Sequence, residues 1–211
     1  DVTVAAPVAG EPVPSGLATL TQAGISAANA TLILDEDAQI DPETGAIKGK
    51  ITDANPTDPD SVFNVTGTTK LLLRLKIKCD EPTEAGTQSI IGKMNDQYGV
   101  QLNRAEDGAI KLLFYAWFGG NDWAEVDYEI PEDWDWDAWY DIVAYYDGNA
   151  LHLYVDGNQE TADRGKTGQL QDCDDAIFTI GYNPAPKKNN VVLAEGEYFD
   201  GWVNDLSLIH I

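Results

Sequence analysis

Hydrophobic residues recur along this chain with a period of two over short stretches, and hardly anywhere with the 3.6-residue period of an amphipathic helix. In "KLLLRLKIK", residues 70 to 78, Leu71, Leu73, Leu75 and Ile77 fall on one face, with Lys70, Leu72, Arg74, Lys76 and Lys78 on the other. "SIIGKM", "YGVQLNR" and "AIKLLFYAW" predict further strands between 89 and 117. "DG" at 107–108, 147–148 and 156–157 marks hairpin turns, because Asp and Gly accept the positive φ that tight hairpins demand. Regular short strands punctuated in this way predict an all-β fold, a two-sheet antiparallel β-sandwich. The Asp- and Pro-rich stretches "DEDAQIDPETG" and "DANPTDPDS", within 35–69, predict long loops rather than core, with oxygen atoms to offer a cation. Residues 1–16, "DVTVAAPVAGEPVPSG", set Pro7, Pro12 and Pro14 among small residues, the composition of a semi-rigid linker. Residues 17–211 are then one sandwich domain.

Charge narrows the partners. Thirteen basic residues against 36 acidic ones give a formal charge of -23 over 211 residues, which repels phosphate backbones and anionic lipid surfaces. Nucleic acid and membranes are therefore not expected as partners, whereas neutral ligands, cations and basic proteins are compatible. No run of about eighteen apolar residues is present to span a membrane. The chain lacks a starting Met and a signal sequence, and reads as a mature or excised fragment. Cys79 and Cys173 are too few for a disulfide scaffold and lack metal-site spacing; they either pair, if the protein is secreted, or are two separate buried thiols.

Two clusters carry candidate chemistry. "EVDYE", residues 125 to 129, puts Glu125, Asp127 and Glu129 on one face of a strand, with neighbouring carboxyls about 7 Å apart by strand rise. That is close to what two-carboxylate glycoside hydrolysis uses. The same alternation also fits an antiparallel sheet wet on one side, with Ala124, Val126, Tyr128 and Ile130 turned inward. Pro131 ends the strand at once, and nothing near in sequence supplies the apolar pocket that would raise a catalytic acid's pKa. The second cluster is aromatic. Tyr115, Trp117, Phe118, Trp123, Tyr128, Trp134, Trp136 and Trp139 fall between 115 and 139. Sugar rings stack their C–H faces on indoles while Asn, Asp and Gln bind their hydroxyls. "WFGGNDW" offers both, making Trp117, Asn121, Asp122 and Trp123 ligand candidates, with Trp134 and Trp136 of "PEDWDWDAW" and Tyr182 of "FTIGYNPAP" beside them. His152 and His210 lack ligand spacing, and there is no Gly-rich phosphate loop, nucleophile elbow or EF-hand, since Ile40 stands where that loop needs Gly.

"WYDIVAYYDGNALHLYVDG" (139–157), "FTIGYNP" (178–184) and "YFDGWVNDLSLIHI" (198–211) together resemble the laminin-G-like modules of the concanavalin A-like lectin/glucanase superfamily. "IGKMNDQYGVQLN" followed by "LLFYAWFGGNDW" is similar to modules attached to secreted bacterial β-galactosidases of the family-two glycoside hydrolases. The resemblance covers about 60–211. It implies a concanavalin-like jelly roll, a core position for Trp139, and one structural calcium (Ca2+) held by Asn204 and Asp205, with Asn where the family usually has Asp. Glucanases of this fold carry an E-x-D-x-E strand well before the equivalent hairpin; here only nine residues separate Glu129 from Trp139, which places "EVDYE" on a different strand. The expectation is a non-catalytic, extracellular or cell-surface carbohydrate-binding module of a bacterial glycoside hydrolase, with a glycan such as a galactoside and the parent's catalytic domain in cis as partners. The alternatives are a structural spacer or protein-interaction module without a sugar site, and an endo-glycosidase using Glu125 and Glu129.

Overall fold

The computed structural model describes residues 2–3, 17–20, 31–53, 63, 65, 67, 70–93, 97–118, 122–163, 168–171, 176–184, 187–188, 191–192 and 196–210. Among these there is no helix. The strands are β1 (Val2–Thr3), β2 (Leu17–Leu20), β3 (Thr31–Leu34), β4 (Gln39–Ile40), β5 (Ile47–Lys48), β6 (Ile51–Asp53), β7 (Leu71–Cys79), β8 (Gly86–Lys93), β9 (Tyr98–Arg104) and β10 (Ile110–Trp117). They continue as β11 (Trp123–Glu129), β12 (Tyr140–Tyr146), β13 (Ala150–Val155), β14 (Asn158–Asp163), β15 (Phe178–Ile180), β16 (Lys187–Lys188), β17 (Val191–Val192) and β18 (Gly201–His210).

Two antiparallel sheets face each other. One runs β1-β2-β3-β6-β15-β8-β9-β10-β11, the other β14-β13-β12-β7-β18-β5-β4, with β16 and β17 as a separate pair. The first strand, Val2–Thr3, pairs with Leu17–Leu20 within the segment whose composition suggests a linker. Strand β7 shows why the layers close. Leu71, Leu73 and Leu75 are wholly buried and Ile77 almost so, while the alternate residues face out. Burying each such side chain is worth about 1.5–3 kcal/mol. From the opposite sheet Tyr98, Val100, Leu102, Leu112 and Phe114 meet them in one cluster, which Phe63, stacked on Phe178 at 3.8 Å between ring centroids, closes at one side.

The turn signals perform as their chemistry dictates. Asp156 and Gly157 take φ of 48° and 83°, the pair of positive angles a two-residue hairpin requires between β13 and β14. At the preceding hairpin, Asp147 Oδ1 accepts hydrogen bonds from the backbone N–H of Asn149 and Ala150, both at 2.8 Å.

Two expectations need correction. The stretch 35–69 is not only loop: β4, β5 and β6 lie within it, and Ala46, Ile47, Ile51, Phe63 and Val65 are buried. Asp41 there caps a turn, its Oδ1 accepting from the N–H of Glu43 at 2.8 Å and of Thr44 at 3.1 Å. Trp139, expected in the core, is 37% exposed. Ile142, Ala144 and Tyr146 point inward, so strand alternation turns Tyr140 inward and Trp139 outward. Cys79 is buried, and burial, then the charges of Asp80 and Asp200, push its thiol up to about 12. Cys173 lies outside the described residues, and with it the pairing question. No helix among the described residues is long and apolar enough to cross a membrane.

Candidate functional site

The outward face of the nine-stranded sheet carries the candidate site. Since Leu112, Phe114 and Ala116 point inward on β10, Leu113, Tyr115 and Trp117 point outward. On β11 the inward residue is Val126, so Trp123, Glu125 and Asp127 share the outer side. The β10–β11 register sets Trp117 opposite Trp123 and Tyr115 opposite Glu125, and the β9–β10 register brings Gln101 beside Leu113 and Asn103 beside Lys111. These side chains enclose an open cleft of about 290 Å³ lined by Gln101, Asn103, Leu113, Tyr115, Trp117, Trp123 and Glu125. The indoles of Trp117 and Trp123 stack with centroids 6.0 Å apart and planes 28° from parallel, leaving Trp123 49% exposed.

Of the sequence-predicted ligand residues, the structure brings Trp117 and Trp123 together here. Asp122 adjoins them, its carbonyl accepting from Phe118 N–H at 2.8 Å. Asn121 lies outside the described residues. Trp134 and Trp136 are elsewhere: they follow the far end of β11, half-buried against the core, with Trp134 stacked on Tyr140 at 3.5 Å and tilted against Tyr128 and Trp136. Tyr182 is buried, its hydroxyl sharing a 2.7 Å hydrogen bond with Thr52 Oγ1 on β6, which lies four strand spacings, about 19 Å, from β10. Sequence reasoning did not single out Gln101, Asn103 or Leu113, and named Tyr115 only as one of the aromatic residues between 115 and 139. Their alternation with Val100, Leu102, Leu112 and Phe114 was available, but only pairing across three strands puts them beside the tryptophans.

The "EVDYE" segment is β11, an edge strand, as its short lead into Trp139 suggests. Its carboxylates face outward, Glu125 and Glu129 exposed and Asp127 partly so, in keeping with the solvated face expected, and they also border two open cavities. Besides Glu125 in the aromatic cleft, Glu125, Asp127 and Glu129 border a second opening of about 400 Å³ where β11 faces β14, shared with Lys111, Glu160 and Thr161. Burial, then the charge of Asp127, raises the Glu125 pKa, with Lys111 pulling the other way. The apolar surroundings come from Trp123, two residues before Glu125, and from Trp117 and Leu113 of β10, against the expectation that nothing near in sequence supplies them. Lys111 Nζ sits 2.7 Å from Asp127 Oδ2 and 3.9 Å from Glu129 Oε1, neutralising the middle of the triplet. Glu125 and Glu129 are four residues apart on an extended strand, about 13 Å by strand rise.

Asn204 and Asp205 occupy a bulge in β18, where Asp205 has φ of 50° and the register with β7 shifts before Ser207. Asp205 Oδ2 is 2.6 Å from Lys76 Nζ. Asn204 Oδ1 accepts from Asp205 N–H at 2.9 Å and its amide donates to the Thr44 carbonyl at 3.4 Å. Asp205 Oδ2 thus has the ammonium of Lys76 as counter-ion and the Asn204 side-chain oxygen is engaged, so in this arrangement neither oxygen is free for calcium. Among the described residues no group of three or more His, Cys, Asp or Glu side chains is placed to hold a metal; residues 54–60 lie outside them.

A family model described as the concanavalin A-like lectin/glucanases superfamily matches residues 59–210. No curated protein matches the chain. Among solved structures, the binding domain of botulinum neurotoxin serotype G is 10% identical with a TM-score of 0.60, over 85% of this chain and 43% of that one. A botulinum neurotoxin type C structure, described by its dependence on two ganglioside molecules for cell entry, is 12% identical with a TM-score of 0.58, over 86% of this chain and 43% of that one. Domains LG4-5 of the mouse laminin alpha1 chain are 19% identical with a TM-score of 0.47, over 71% of this chain and 38% of that one. The chain thus spans less than half the length of each of these structures.

Proposed function

The chain belongs to the concanavalin A-like lectin/glucanases superfamily, and from that membership we propose that it is a non-catalytic carbohydrate-binding module whose ligand lies in the Trp117–Trp123 cleft. The observation that carries this reading is the meeting of two stacked indoles with Gln101, Asn103 and Glu125 in one open cleft. An apolar wall with a few placed polar groups suits a sugar, whose C–H face lies on an indole while its hydroxyls reach the amides and the carboxylate. Trp123 presents its free face to solvent, and Gln101 and Asn103 are held in place by hydrogen bonds to Ser89 Oγ at 3.2 Å and Thr87 Oγ1 at 2.9 Å. The ganglioside interaction named for the type C neurotoxin lends support through shared fold alone.

In this reading the module works outside the cell, tethered to a bacterial glycoside hydrolase such as a β-galactosidase. Individually weak stacking and polar contacts become useful there by raising the effective concentration of substrate around the catalytic domain. The test is binding to a glycan array, followed by titration of the hits against tryptophan fluorescence. Trp123→Ala weakens the hits by about tenfold or more and Trp117→Ala by a similar factor. Undiminished binding by both variants refutes the assignment of this cleft.

A further inference from the structure

The cleft does not end at Gln101. Gln101 Nε2 donates to Ser89 Oγ, and Ser89 Oγ donates to Glu197 Oε2 at 2.9 Å. Asn183 Nδ2 donates to the same oxygen at 2.8 Å, and the Glu197 carbonyl accepts from Ser89 N–H at 2.7 Å. Ser89 and Asn183 are fully buried, so both donors that fix the carboxylate are themselves immobilised. Glu197 takes φ of 50°, a conformation that a long side chain avoids unless its surroundings impose it. All its side-chain bonds fall on Oε2. Oε1 takes no hydrogen bond among the described residues and is not a fully buried orphan, so it is left as a held acceptor.

Position and charge define what this acceptor reads. The register aligns Ser89, Gln101, Leu113 and Asp127 in one row across β8, β9, β10 and β11. Three strand spacings, about 14 Å, therefore separate β11 from the strand that Glu197 is fastened to, and Trp123 lies a further four residues, about 13 Å by strand rise, along β11 from Asp127 in that row. One sugar ring cannot reach both. Glu125 stands at the near end of this track and Glu197 at the far end, while Lys111, the cation beside the cleft, is held by Asp127. Resting on the cleft reading above, we propose that the ligand is a neutral oligosaccharide laid across β11 to β8, one unit stacked on Trp123 and a distal unit giving its hydroxyls to Glu197. Glu197 is then the specificity-determining residue: it extends recognition beyond one ring and rejects uronate, sulfated or sialylated chains by like charge.

The experiment uses neutral β-linked gluco- and galacto-oligosaccharides of one to six units and oligogalacturonates of the same lengths, titrated against wild type, Trp123→Ala and Glu197→Gln. Glutamine keeps an acceptor for Ser89 and Asn183 but removes the charge. Wild-type affinity rises from the monosaccharide to the longer neutral chains and is lost for the oligogalacturonates. Glu197→Gln loses about tenfold or more on the long chains and nothing on the monosaccharide, whereas Trp123→Ala loses both. If Trp123→Ala weakens binding and Glu197→Gln leaves the long chains untouched, the extended site is overturned and the cleft survives. If neither variant matters, the cleft falls as well. Should Glu197→Gln fail to fold, the wild-type length series still decides, because affinity already complete at one unit, or preference for oligogalacturonates, overturns the proposal.

Discussion

Gly86 and Gly92 lie on the same strand, β8, with φ of 154° and 151°, yet alanine at the two positions has very different consequences. At Gly86 an added Cβ meets nothing within 4 Å, so the variant bears only the strain of a φ that L residues rarely adopt. That strain is about 1–3 kcal/mol, offset in part by the about 0.4–1 kcal/mol that alanine removes from the unfolded chain's entropy. At Gly92 the Cβ would stand 2.3 Å from the Tyr98 carbonyl oxygen and 2.6 Å from the Gly99 Cα. Both are main-chain atoms, so no rotamer relieves the clash and β9 itself has to move away. Overpacking of this kind adds about 1–3 kcal/mol, and each ladder hydrogen bond stretched between β8 and β9 adds about 1 kcal/mol. Gly92→Ala is therefore about 3 kcal/mol less stable than Gly86→Ala, a large fraction of the 5–15 kcal/mol typical of a domain. Urea unfolding of both variants with linear extrapolation measures the difference. Equal losses, to within about 1 kcal/mol, would refute the argument that the Gly92–Gly99 pair exists to let two backbones meet.

Three further outcomes follow from the same coordinates. Trp134→Ala costs about 2–3 kcal/mol in thermal or urea unfolding, somewhat below a fully buried Trp, because it breaks the stack on Tyr140; Trp139→Ala, at 37% exposure, costs less than about 1 kcal/mol. The N–H groups of Ala150 and Asn149 together with His152 hold Asp147 down to about 2 from its ordinary 3.8. A depressed carboxylate stabilises the fold above its unfolded pKa and ceases to do so as pH falls through the folded one. Asp147→Ala thus costs about 1 kcal/mol at neutral pH, after discounting for a side chain 35% exposed, and the gap to wild type closes between about pH 4 and pH 2. With Lys76 as the counter-ion of Asp205, millimolar calcium or its chelation leaves the melting temperature unchanged. A calcium-dependent rise would refute the reading that Lys76 serves as the counter-ion of Asp205.

How far the sequence foretold this molecule depends on the range of the interaction. Strand β7 was legible because its alternation is complete and both faces are unambiguous. The hairpins were legible because Asp-Gly encodes its own φ. Trp139 misled for a local reason: the eye follows the largest apolar residue, whereas the parity of the strand is set by Ile142, Ala144 and Tyr146. The packing of Trp134 and Trp136 was not legible among their acidic neighbours: Trp134 lies against Tyr128 and Tyr140, and Trp136 against Trp134. The stretch 35–69 looked unstructured since two- and three-residue strands leave too short a pattern to read. The cleft was half legible. Trp117 and Trp123 flank one hairpin and announce themselves, while Gln101 and Asn103 arrive from β9, and Glu197 from a segment 108 residues away from Ser89. Nothing in linear sequence marks a residue whose importance comes from a partner that distant.

The acidic edge has a bearing on how many copies can work side by side. Among the described residues strand β11 closes one sheet and β14 the other, so each presents an edge of backbone N–H and C=O groups that no further described strand pairs. Such rims invite neighbouring molecules to zip on. Glu125, Asp127 and Glu129 on one rim and Glu160 on the other surround them with anions, and Pro131 cuts the first rim short. Packed side by side at neutral pH, adjacent copies repel along these two margins, where they would otherwise join.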